Sequence, residues 1–367
     1  MIPLYKVHMP ENIAQVLEPV LLGGSITQGP KEREFEQKFS SWIGNPHTAL
    51  LNSGTSGITL ALRLAGVGPG SEVISSPMTC TATNEPVLTA GADIVWCDVD
   101  PSTGNMDPDK LERLVTPRTK AILFVDWAGT PVELDSINAI AHKHGIKTIE
   151  DAAHALGAKY KGRNVGTISD YTMFSFQAIK HLTTVDGGAL ACQNKEDYDR
   201  AVLLRWFGLA RGHNKSPVNW EGDITEPGYK MHMNDVNATI GIEQMNHIDR
   251  IISAHKKNGN YLMSELKGIP GIEVCNIPVH IDSSFWIFTI KLKDAAHREE
   301  VSKKLSEVGI ASSVSHIRND NYSLFNKYRC SLPGLDDFGS RMLNIPCGWW
   351  LTEENLIHIV SSLKSFI

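Results

Sequence analysis

No apolar run in this sequence approaches the ~18 residues that a membrane-crossing helix needs. The opening MIPLYKVHMPENIAQ lacks a charged start leading into an apolar core, so it does not read as a secretory signal. Long basic runs are missing and the formal net charge is -6, which argues against nucleic acid as a partner. The six cysteines show no C-x-x-C spacing and lie mostly in apolar runs such as Val95–Val99. Buried free thiols in a reducing compartment are expected, with neither a metal site nor a disulfide framework. There is no internal repeat, no low-complexity segment, no G-x-G-x-x-G and no Walker lysine, which leaves NAD and ATP poorly supported. The expectation is a soluble, cytoplasmic protein.

What is present is a regular alternation. Strands are expected at 48–51, 73–76, 94–99, 121–125 and 147–149, and helices at 11–22, around Phe35, Phe39 and Trp42, from Ile58 to Ala65, and at 82–90, 108–115 and 134–144. Strands alternating with helices predict a mainly parallel sheet covered on both faces, with ligands beyond the carboxyl ends of its strands. Ser53–Ser56, Pro77–Thr81, Asp126–Gly129 and Asp151–His154 all lie at such ends and should converge. After Cys192 come helices near 195–207 and 234–245, a polar loop at 208–228, and a long helix from Asp249 to Gly268. The remainder, with strands near 272–275 and 285–292 and helices near 297–308 and 352–366, reads as a smaller α+β domain. The division expected is 1–248 and 249–367.

Three stretches carry chemistry. Asn52-Ser53-Gly54-Thr55-Ser56-Gly57 joins a strand to a helix through a glycine turn, which would present free N–H groups and hydroxyls to an anion. An ordinary N-cap by Ser53 or Thr55 explains it equally well. Glu150-Asp151-Ala152-Ala153-His154 puts an acidic pair at a strand end, costly unless something cationic lies near or Asp151 caps a helix. In Asp170–Cys192 a lone lysine, Lys180, stands between two apolar runs. A desolvated ammonium becomes a nucleophilic amine, whereas a surface turn would leave it an ordinary solvated lysine. Taken together, a lysine that forms Schiff bases, a carboxylate for a pyridinium and a phosphate cradle are the needs of pyridoxal 5′-phosphate.

The order of these segments resembles the DegT/StrS family of sugar aminotransferases, through nearly all of the chain. Ile26-Thr27-Gln28-Gly29-Pro30 with Phe35-Glu36, Ser53-Gly54-Thr55-Ser56, Glu150–His154, and Ser175-Phe176 followed by Lys180 and Gly187-Gly188 carry the likeness. The resemblance implies an α/β fold of the type I (aspartate aminotransferase-like) architecture with pyridoxal phosphate, cycling through pyridoxamine phosphate. Lys180 would form the internal Schiff base and shuttle protons, and Asp151 would pair with the ring nitrogen. His154 would approach the ring's phenolic oxygen. Gly54, Thr55, Ser56 and Ser175 would bind the phosphate. Three departures stand out. Cys80 occupies the position, after Thr79, where relatives stack an aromatic residue on the cofactor. Val185-Asp186 replaces Gly-Glu. Lys230, in Gly228-Tyr229-Lys230-Met231-His232, replaces an asparagine that a partner subunit gives to the phosphate; it suits a phosphate as a point charge or is a solvated loop lysine. Some relatives are dehydratases with histidine in the lysine register; here His181 is adjacent, but Lys180 holds that register.

The implied reaction moves an amino group from L-glutamate to a nucleotide-linked keto sugar in a homodimer whose site lies at the subunit interface. The first choice of acceptor is C4 of a 4-keto-6-deoxyhexose, giving a perosamine-like or viosamine-like sugar for an O-antigen or other polysaccharide. C3 amination comes second, and a cofactor-binding regulatory protein without turnover is the rival from another class. His316, Arg318 and Asn319 lie where relatives approach the sugar nucleotide, and Arg318 suits a diphosphate or is an ordinary turn arginine. Trp206, Trp349 and Trp350 are expected in the core rather than in a pocket.

Overall fold

The computed structural model describes residues 1–24, 26–209 and 223–367. Most of the polar loop expected at 208–228 lies outside the described residues, as does Ser25 in the turn-rich stretch before Pro30. The strands in chain order are β1 (Thr48–Leu51), β2 (Glu72–Ser75), β3 (Asp93–Trp96), β4 (Thr119–Val125), β5 (Lys147–Asp151), β6 (Lys159–Tyr160), β7 (Arg163–Asn164), β8 (Tyr171–Ser175), β9 (Gly188–Cys192), β10 (Glu273–Val274), β11 (Ile281–Asp282), β12 (Phe288–Lys291) and β13 (Met342–Ile345).

Seven of them form one sheet in the order β1-β9-β8-β5-β4-β2-β3. The pairs from β8 through β3 are parallel, and β9 alone runs against its neighbours. Side chains alternate between the two faces of a strand. In β4, Ala121 and Leu123 join one apolar core while Ile122 and Phe124 join another. In β9, Leu190 and Cys192 pack on one side and Ala189 and Ala191 on the other. Both faces are therefore covered, which is why these strands read as continuous apolar runs rather than alternating ones.

A second sheet, β10-β12-β13, is antiparallel and shares a core with the helices Ile248–Leu266, Ala295–Glu307 and Glu353–Phe366. Trp286, Ile287, Phe325, Leu335 and Phe338 leave that core and pack with the large sheet's residues. The C-terminal third is thus clamped onto the strand ends where the site forms.

The helix Pro333–Arg341 and β13 were not expected from sequence. The helix is short and carries Gly334 and Gly339, which weaken a periodic signal. Gly334 is needed there, since a Cβ would lie 2.1 Å from the Val99 carbonyl oxygen. The two-residue strands β6, β7 and β11 are too short for any periodicity. The three tryptophans assigned to the core are only half-buried. Trp350 instead donates its indole N–H to the Pro3 carbonyl (3.1 Å), and Trp349 packs edge-on to His8.

One contact sets how the lysine segment meets the glycine turn. A Cβ on Gly188 would stand 2.6 Å from Gly54 N and from Ser53 C. Backbone cannot yield as a flexible side chain does. Gly188→Ala is expected to displace the turn and to cost ~1–3 kcal/mol by overpacking, read by denaturant unfolding.

Candidate active site

The turn after β1 opens the helix Gly54–Leu64. Ser53 caps it, its Oγ accepting from the Ser56 N–H at 3.1 Å. Ser56 Oγ donates to Asn52 Oδ1 at 2.7 Å. Capping uses the third amide, so the N–H groups of Gly54 and Thr55 at the helix start are left to face an anion. Ser175 ends β8 beside them: a Cβ on Gly54 would come 3.1 Å from Ser175 Cβ. The absence of side chains at Gly54 and Gly188 creates this cradle.

β5 ends in Asp151. Glu150 and Asp151 are neighbours in sequence but not a pair in space. Glu150 accepts from Thr172 Oγ1 (2.8 Å) and lies against Asp126. Asp151 Oδ2 accepts from Thr83 Oγ1 at 2.6 Å, and Oδ1 from the Ala153 N–H at 3.1 Å. The cost of the acidic pair is therefore met differently for each member. Burial, with the neighbouring Glu150 carboxyl, pushes the Asp126 carboxyl well above the usual range, and burial raises Glu150 too, so that pair retains a proton. Burial also raises Asp151, opposed by its two hydrogen bonds and by the Lys180 charge.

Lys180 follows a tight turn in which its N–H donates to the Gln177 carbonyl at 2.9 Å. Burial pushes its ammonium down to about 8, against the opposing pull of Asp151 and Cys80. Its Nζ lies 4.0 Å from the centre of the Trp286 ring. That indole stacks on His154 at 3.8 Å with planes 12° apart. His316 lies parallel to His154 at 5.7 Å, and Trp127 presents its edge to both imidazoles. Burial drives His154 well below its ordinary value, and takes His316 to about 4, so both rings are neutral. His154 Nδ1 is buried without a hydrogen-bond partner among the described residues. Sequence reasoning missed Trp286, which sits in an apolar run whose pattern announces only a strand, and singled out no role for Trp127, although Asp126–Gly129 was expected at the converging strand ends.

The remaining predicted residues fall into two groups. Cys80, half-buried, heads the helix Thr81–Thr89 and lies close enough to favour the Lys180 charge. His316 joins the ring cluster. Asn319 is fully buried and its amide is used within the fold, donating to the Thr79 carbonyl (2.7 Å) and accepting from Asn84 (2.8 Å). Arg318 is held by both oxygens of Asp320 (2.7 and 2.6 Å) and by Asp336. Lys230 is exposed, its Nζ 5.9 Å from the Trp206 ring, and its carbonyl accepts from Asn52 at 3.5 Å. It thus borders the turn of its own chain. Among the described residues no cluster of metal-ligating side chains occurs and no helix is long and apolar enough to cross a membrane.

An anion cradle at the ends of β1 and β8, a buried carboxylate at the end of β5 and a desolvated lysine within reach of that carboxylate point to a pyridoxal-phosphate-dependent enzyme on a mostly parallel sheet. The residues fit that group: the cradle would hold a phosphate, Asp151 a cationic ring nitrogen, and His154 Nδ1 has hydrogen-bonding capacity left over. The comparisons narrow the class. Residues 8–364 match the DegT/DnrJ/EryC1/StrS aminotransferase family. The chain is 37% identical to the sugar aminotransferase CalS13 from Micromonospora echinospora, with a TM-score of 0.94 and full coverage of both chains. It is 28% identical to Spr1654 from Streptococcus pneumoniae in its PLP form, with a TM-score of 0.91 and 100% and 98% of the two chains covered. It is also 32% identical to the spore coat polysaccharide biosynthesis protein SpsC of Bacillus subtilis (strain 168), covering 97% of this chain and 94% of that one. The chain belongs to the DegT/DnrJ/EryC1/StrS aminotransferase family, a family of pyridoxal-phosphate-dependent transaminases.

The depressed ammonium is directly measurable. Only the neutral amine is a nucleophile, so in cofactor-free protein the acylation rate at Lys180 should climb with pH and level off above about 8. Exposed lysines, titrating near ~10.4, should still be climbing there. Competitive acylation read by mass spectrometry checks this.

Proposed function

We propose that the enzyme transfers an amino group from L-glutamate to a nucleotide-linked keto sugar, at C4 of a 4-keto-6-deoxyhexose. The product would be a perosamine- or viosamine-like amino sugar for a surface polysaccharide, a reading that the likeness to SpsC supports. The observation that carries the transaminase chemistry is the Lys180 amine, desolvated and within electrostatic reach of the buried Asp151.

Pyridoxal 5′-phosphate, when bound, supplies an aldehyde that takes up the amino group and a ring that accepts electrons. Lys180 would hold it through Nζ, and as a free amine would serve as the base and acid that moves the proton in both halves of the reaction. Asp151 would favour a proton on the ring nitrogen by charge pairing, its carboxylate held in place by Thr83. His154 would serve the phenolic oxygen, and Cys80 would lie on the ring side of the site. The Gly54 and Thr55 N–H groups with the Thr55, Ser56 and Ser175 hydroxyls bind the phosphate. Lys230 of the partner subunit completes that site in a homodimer.

His316 faces the sugar. Arg318 reaches a diphosphate by exchanging one of its carboxylate partners. Asn319 acts on the acceptor side through the Pro77–Thr79 segment, to which its backbone and side chain are both bonded. Residues 1–248 form the cofactor domain and 249–367 the smaller one.

Lys180→Ala should abolish the absorbance of lysine-bound cofactor; unchanged absorbance would refute the assignment. With wild-type enzyme, L-glutamate should convert the cofactor to its amine form, whereas a non-catalytic binding protein would show no spectral change. A panel of nucleotide-linked keto sugars offered to the amine form, with product mass and ring position determined, tests the acceptor. Product aminated at C3, or from 3-keto sugars alone, would overturn the C4 assignment.

A further inference from the structure

Trp286 arrives from the C-terminal third of the chain, yet its side chain is 3% exposed and packed among residues of the large sheet. Its indole N–H donates to the Ile179 carbonyl at 2.9 Å, one residue before the lysine. Its ring lies 4.0 Å from Lys180 Nζ and stacks on His154. The segment leading to it is stitched to three site loops. Ser284 N–H donates to the Gly129 carbonyl (2.9 Å), and Ser284 Oγ donates to the His154 carbonyl (3.1 Å). The Ser284 carbonyl accepts from His181 Nε2 (3.2 Å), and the Phe285 carbonyl from His255 Nδ1 (2.8 Å). The indole is therefore fixed at its backbone, its N–H and its face.

We propose that Trp286 is a positioning residue for the lysine amine, its ring face holding the ε-ammonium of Lys180 while its N–H fixes the backbone just before it. This rests on the reading of Lys180 as the reacting amine. The quadrupole of an indole attracts an ammonium but gives little to a neutral amine, so the contact favours the protonated form. The other groups facing Lys180 are Asp151 on β5, Cys80 at the start of its helix, and the imidazoles of His154, His316 and His181. The three imidazoles are held neutral by burial and supply no counter-charge. Asp151, Cys80 and the indole face are thus the groups that offset desolvation, and Asp151 would also have a ring nitrogen to serve when the cofactor is bound. His154 and Tyr5 stack on the same indole, at 3.8 and 4.9 Å, and hold its ring in place against Nζ.

The test uses full-length protein stripped of cofactor and competitive acylation at Lys180 across pH, for wild type, Trp286→Phe and Trp286→Leu. Leucine fills apolar space without a ring face; phenylalanine keeps a face and loses the N–H. Trp286→Leu should lower the midpoint at Lys180 by ~0.5–1 pH unit, while Trp286→Phe stays nearer to wild type. Both should reload pyridoxal phosphate with a slower rate, since both lose the bond to Ile179. A midpoint that stays put in the leucine variant, or that moves equally in both, overturns the proposal. Trp286→Met carries the same measurement if the leucine variant does not fold. Failure of the Lys180 reading shows separately, as lysine-bound absorbance surviving Lys180→Ala.

Discussion

Desolvation of one amine is the constraint on which the rest of the site depends. Water would hold Lys180 as an ammonium through neutral pH, charged and unreactive. Burial opposes that charge, and the surroundings restore part of it, leaving the group near 8 where either form is accessible at small cost. The same burial takes His316 down by a similar amount, to about 4, and drives His154 well below its ordinary value, so the imidazoles, which start near ~6.5, are neutral while the lysine, which starts near ~10.4, is left near 8. The carboxylate of Asp151 opposes part of the lysine's desolvation, and so its geometry bears on the chemistry.

Asp151 is positioned by a chain of contacts that crosses the molecule. Asn319, in the C-terminal third, is bonded to the Thr79 carbonyl. The Thr79 and Thr83 hydroxyls are 2.7 Å apart, and Thr83 donates to Asp151. A residue next to the arginine assigned to the acceptor is thereby connected to the Asp151 carboxylate. On the opposite face of β5, Glu150 lies against Asp126 at the end of β4, and burial raises both carboxyls so that the pair retains a proton. Two neighbouring strand ends thus hold a carboxyl pair that retains a proton and, in Asp151, one whose hydrogen bonds and cationic neighbour favour its charge.

The fold was largely legible because its strands are short apolar runs between helices with clear amphipathic spacing. The expected strands at 48–51 and 121–125 and the helix at 134–144 agree with the structure to within two residues. The expectation that the strand ends meet holds between 126–129 and 151–154, where the Asp126 N–H donates to the Asp151 carbonyl (3.2 Å) and Trp127 packs against His154, and between 77–81 and 151–154 through the Thr79 and Thr83 hydroxyls. Trp286 was not legible, because a tryptophan in an apolar run looks alike whether its ring meets core or the amine of Lys180; Trp127 lay in a strand end expected to converge, but nothing local marked its ring. Glu150-Asp151 was misleading in a definite way: strand alternation sends adjacent carboxylates to opposite faces, so a pair in sequence is two separate environments. For Arg318, sequence displays the guanidinium but not the two carboxylates that already occupy it.

Val185-Asp186, unexplained as a departure from the family pattern, has a physical account in the turn it forms. Val185 adopts a φ of +73°, a conformation unfavourable to a β-branched residue by ~1–3 kcal/mol. Three hydrogen bonds hold the turn. Thr183 Oγ1 accepts from the Val185 N–H (2.9 Å), and the Asp186 carbonyl accepts from Thr184 Oγ1 (2.7 Å) and Asn237 Nδ2 (2.6 Å). Asn237 belongs to the helix Asp235–Met245, whose Asp235 carboxylate accepts from the N–H groups of Gly29, Lys31 and Glu32 at the start of the helix Pro30–Ile43. The lysine segment is in this way tied to the opening segment of the chain through two helices. A glycine at 185 would relieve the strain but enlarge the unfolded ensemble, so the valine keeps the turn stiff just before Gly188, which must press against Ser53 and Gly54.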